Sequence, residues 1–167
     1  MKPISLPSPL LIAALLGSQL LVACGGSDSA PPVTGVFLDS AVEGLDYTAG
    51  TSAKASTNAK GEFICQGTET VVFSIGGITL GSAACGAIIT PLNLAGTSDA
   101  ADDRIVNRLL ALQLLDEDGE PSNGIKLTPV VKNLLKNAAL DFGMKPSDFN
   151  AALRAALALL PEPYKAR

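Results

Sequence analysis

The chain has 167 residues, no histidine, no tryptophan, 4% aromatics and a formal net charge of −4. Without histidine there is no Ser-His-Asp triad, no Cys-His dyad and no histidine-ligated zinc. The acidic balance argues against nucleic acid and anionic lipid headgroups as partners, and the few aromatics leave no stacking platform for bases or sugars.

Lys2 is the only charge before Asp28, and Leu10 to Ala23 is apolar apart from Ser18 and Gln19. That run is shorter than the ~20 apolar residues a spanning helix needs and fits the core of a signal peptide. It ends in Leu21-Val22-Ala23-Cys24, which resembles the lipobox of bacterial lipoproteins. The resemblance implies that residues 1–23 are a signal peptide that is removed and that Cys24 carries lipid, palmitate included. An ordinary secretory signal with an accidental cysteine is the alternative. In the enterobacterial sorting scheme, aspartate after the cysteine retains a lipoprotein at the inner membrane. Gly25 stands there, which implies a lipid anchor in the outer membrane, facing periplasm or cell surface. Removal of residues 1–23 takes away Lys2 and no acid, so the mature chain is one unit more negative. Residues 24–32 read as a tether, Gly- and Ser-rich and then stiffened by Pro31 and Pro32.

With Cys24 assigned to lipid, Cys65 and Cys85 remain. An even pair in an oxidising compartment is most simply a disulfide; two buried free thiols are the alternative.

Residues 33–95 are rich in Val, Ile, Thr, Phe and Gly, with frequent turn signals. Strands are expected at Gly35–Asp39, around Leu45 and Tyr47, and across "EFICQG" and "TVVFSIGG". The last two read as a hairpin about Gly67-Thr68. Phe63 and Cys65 share one face, as do Val71, Phe73 and Ile75. "ITLGSAAC" and "AIITPL" complete the set. Together these predict a small antiparallel β-sandwich. The stretch "GVFLDSAVEGLDY…TNAKGEF…GTETVVFSIGGITLGS" resembles an N-terminal module of exported, adhesin-like bacterial proteins. Its Gly-x-Phe feature is similar to carboxypeptidase-regulatory or prealbumin-like sandwich modules. The resemblance implies a non-catalytic module that supports or spaces other domains.

Residues 99–160 switch to helical spacing, so the fold class expected is α+β: a sandwich followed by a three-helix segment. The first helix is expected with Ser98 or Asp99 as cap and Ile105, Leu109, Leu112 and Leu115 as its apolar stripe. The second, "LTPVVKNLLKNAAL", is capped by Thr128, carries Pro129 at its first position and ends by Gly143. The third is capped by Ser147 and lined by Leu153, Leu157 and Leu160.

Between the first two helices lies "LDEDGEPSNGI". Asp116, Asp118 and Glu120 alternate and Asn123 follows, which places oxygen donors at positions 1, 3, 5 and 8 of a glycine-containing loop, as a hard cation such as calcium requires. The run resembles the calcium-binding spacing of thrombospondin-type repeats, although Glu120 and Asn123 depart from it. A plain polar turn between helices is the alternative.

The expected function is non-enzymatic: a membrane-anchored lipoprotein serving as a cell-envelope scaffold or binding module, with a protein partner in the envelope. The alternative is the targeting or spacer module of a larger secreted hydrolase or adhesin. An enzyme working through carboxylates alone would draw on Asp39, Asp46 and Glu62, the acids nearest the strands.

Overall fold

The computed structural model describes residues 30–158, 160–162 and 164. The apolar run, Cys24 and most of the tether lie outside them. In chain order the elements are β1 (Pro32–Phe37), β2 (Val42–Glu43), β3 (Asp46–Ala49), β4 (Ala55–Ser56), β5 (Glu62–Gln66), β6 (Thr70–Ile75), β7 (Ile78–Ala84), β8 (Ile88–Ile89), α1 (Pro91–Ala95), α2 (Asp103–Leu115), β9 (Ile125–Lys126), α3 (Pro129–Leu134) and α4 (Pro146–Leu157). The chain is α+β.

Period-two burial sets the strands. β5 buries Phe63 and Cys65, and β6 buries Val71, Phe73 and Ile75, as their alternation predicts. Their pairing differs from the expected hairpin. β5 pairs antiparallel with β1, while β6 pairs with β3 and β7, giving sheets ordered β5-β1-β8 and β4-β3-β6-β7. The tight hairpin is β6–β7, turning at Gly76-Gly77. The apolar faces explain the exchange. Phe63 and Phe73 meet edge to face across the core, with centroids 5.3 Å apart, where a hairpin would have set their strands side by side in one sheet. Phe37 lies 4.9 Å from Phe73 and completes the aromatic centre.

The pairing is not wholly antiparallel. β8 joins β1 in parallel, and β9 joins β2 in parallel. The second pair ties the strand-rich half to the helical half. One cluster of buried side chains accordingly runs from Phe37 and Phe73 through Leu112 and Leu115 to Phe149 and Leu157.

The helices are shorter than their patterns. Ser98 and Asp99 precede α2, and its cap is Asp102, whose carboxylate accepts from the Arg104 amide. Leu109 is only half-buried. Arg108 takes an inner position instead, donating to the Leu80 carbonyl and lying 4.9 Å over the Phe142 ring. Thr128 caps α3 as expected, accepting from Val131 N, but the helix ends at Leu134. The amide of Gly77, in the β6–β7 turn, takes the Leu135 carbonyl at 2.9 Å, an acceptor that a longer helix would need. α4 begins at Pro146 after Lys145, with Ser147 already inside the helix. "AIITPL" is split: β8 is two residues long, and the Thr90 amide then donates to Asn93 Oδ1 to start α1.

Candidate functional site

The covalent link comes first, since it fixes the sheets that carry everything else. Cys65 on β5 and Cys85 just after β7 form a disulfide across the two sheets, with Cα atoms 5.8 Å apart, inside the range a bridge permits. Cys65 is 2% exposed. Its partner is reached because β7 runs back along β6 to the end of the molecule where β5 stops.

The loop after α2 uses its oxygens internally. Asp116 ends α2 and is 1% exposed. Its Oδ1 accepts from the Lys126 amide at 2.8 Å, and the Glu117 amide donates to the Lys126 carbonyl at 3.0 Å, so α2 is latched to β9. Asp118 accepts from the Glu120 amide and from Asn123 Nδ2, each at 2.9 Å. Glu120 accepts from the Ser122 hydroxyl at 2.6 Å. The structure thus brings Asp116, Asp118 and Asn123 together and turns Glu120 to its own neighbour. Among the described residues no three Asp, Glu, Cys or His side chains gather as a metal would need. Burial raises the pKa of Asp116, and the neighbouring Asp118 carboxylate raises it further, against the lowering effect of the Lys126 amide.

A third constellation has no signature in the sequence. Asp46 on β3 and Lys132 on α3 form an ion pair of 2.6 Å, and both are largely buried. The Ser56 hydroxyl donates to Asp46 at 2.8 Å and accepts from Lys132 at 3.0 Å. Lys54, Asn133 and Lys136 line the shallow groove around them, about 370 Å³. Serine beside lysine is the composition of a Ser-Lys nucleophile pair, which needs a neutral lysine to accept the serine proton. Here the ammonium donates to both partners and the serine proton points to Asp46. The arrangement ties α3 to β3. The pairing spans 86 residues of sequence, which no local pattern could reveal. Of the other acids near the strands, Glu62 accepts from Asn58 Nδ2 at 2.7 Å, and burial raises the pKa of Asp39.

No family model, curated protein or solved structure matches the chain. No helix among the described residues is long and apolar enough to cross a membrane.

Proposed function

We propose that this is a non-enzymatic, lipid-anchored protein of the bacterial outer membrane, serving as a cell-envelope scaffold or binding module. The supporting observation is the use of its cysteines. Cys65 and Cys85 sit at bonding distance, which suits an oxidising compartment. The remaining cysteine, Cys24, ends the Leu-Val-Ala-Cys run. Two sheets meeting through Phe37, Phe63 and Phe73 support reading the strand-rich half as a sandwich module of the carboxypeptidase-regulatory or prealbumin-like kind. The helical half then braces it through α2, α3 and α4.

Labelling with radioactive palmitate tests the anchor. The parent chain should take up label and Cys24→Ser should take up none, accumulating as uncleaved precursor. Equal labelling of both would contradict the proposal.

A further inference from the structure

Six large apolar side chains stand exposed among the described residues: Leu38, Ile64, Val72, Ile88, Val130 and Leu134. Two of them share one face of one sheet, and a third, Leu38, directly follows its centre strand. Ile64 on β5 is paired with Thr34 of β1, and Ile88 on β8 is paired with Val36 of β1. Paired residues share a face, and so do residues two apart on a strand. Thr34, Val36, Ile64 and Ile88 therefore form one outward patch, which Leu38 continues at the next alternate position. Ile64 and Ile88 are 58% and 60% exposed. Strands about 4.8 Å apart with a rise of about 3.3 Å per residue put these two isoleucines roughly 12 Å from each other. The strand residues of this face carry one charge, Glu62, in a chain with sixteen acids.

From these positions we infer that the outward face of the β5-β1-β8 sheet rests on the bilayer in which the chain is anchored. The inference builds on the Cys24 anchor. A fully extended chain from Cys24 to Pro32 spans at most about 28 Å, and Pro32 is the first residue of β1, the centre strand of this sheet. The membrane surface is thus always within reach of the patch. Exposed aliphatic side chains seat a peripheral surface at the headgroup–acyl boundary with a strength that scales with the apolar area buried. Strand addition by a second copy is less favoured at the β5 edge, because the Ile64 amide there is taken by the Tyr47 hydroxyl at 3.2 Å. Val130 and Leu134 belong to α3, which packs at the Gly76-Gly77 turn. That turn is at the opposite end of β6 from the tether entry.

The chain has no tryptophan, so one introduced residue reports its own environment. Residues 24–167, oxidised at Cys65–Cys85, are coupled through the Cys24 thiol to sparse maleimide lipid in phosphatidylcholine vesicles. The anchor is then supplied chemically, and failure of docking is separate from failure of lipidation in the cell, which palmitate labelling reads. Ile64→Trp, Ile88→Trp and Leu134→Trp are compared after near-ultraviolet circular dichroism shows each folded like the parent. Brominated acyl chains should quench the first two about twofold or more, as expected for a side chain seated ~5–10 Å into the boundary. Quenching should persist at high salt, and position 134 should be unaffected. Equal quenching at all three positions, or none at 64 and 88, would overturn the inference. So would a blue-shifted emission at 64 and 88 without lipid from a chain sedimenting as a dimer, which would assign the face to self-association.

Discussion

Asp116 sits 1% exposed at the C-terminal end of α2, where burial and the helix dipole both oppose a carboxylate charge. Its folded pKa is raised above the unfolded value of about 3.9. Between those two values the folded chain holds a proton that the unfolded chain has released, so this group's contribution to stability falls as pH rises through the window. Asp116→Asn keeps an acceptor for the Lys126 amide and removes the titration. The melting temperature of the variant minus that of the parent should grow from pH 4 towards pH 7. A flat difference would show that this carboxyl does not titrate there. Calcium is the discriminating addition. A bound divalent ion would favour the ionised Asp116–Asp118 pair, and Asp116→Asn would then lose stability relative to the parent. Melting curves that calcium leaves unchanged would assign the loop to a polar turn. Asp116 was legible as a loop oxygen donor but not as a latch, because its partner is the amide of Lys126, and β9 follows only once the β2–β9 pairing is known.

At the scale of elements, alternation was legible and partnership was not. The inward sets Phe63/Cys65 and Val71/Phe73/Ile75 follow from period two, whereas the assignment of β5 and β6 to different sheets depends on which apolar faces meet. Phe73 contacts Phe37, Phe63 and Tyr47, so Phe73→Ala should cost about 3–5 kcal/mol in denaturant unfolding. A loss under ~1 kcal/mol would mean that the two sheets do not share this core. The early end of α3 is likewise a tertiary effect. A Cβ on Gly77 would run into the carbonyls of Lys136 and Ala138, whereas one on Gly86 meets nothing closer than 3.9 Å. Gly77→Ala should therefore destabilise by about 1–3 kcal/mol through overpacking. Gly86→Ala should be neutral or gain up to ~1 kcal/mol from the unfolded state. Equal effects of the two would remove the β6–β7 turn as the stop for α3.

For the whole molecule, the two halves that differ in periodicity share one buried cluster, joined by the β2–β9 pair and the Asp46–Lys132 ion pair. The change from strand to helix near residue 95 was plain in composition; the shared core was not, because it rests on contacts far apart in sequence. The disulfide closes a span of 20 residues and should stabilise by about 3 kcal/mol on the chain-entropy model. On the proposed reading, compartment, anchor and fold all rest on the same three cysteines. Intact-mass and peptide spectrometry of the protein purified from membranes, alkylated without reduction, reads all three at once. The account predicts a chain beginning at Cys24 with acyl groups on that residue, a Cys65–Cys85 cross-linked peptide and no alkylated thiol. A chain still carrying residues 1–23, or one alkylated at Cys65 and Cys85, would contradict it.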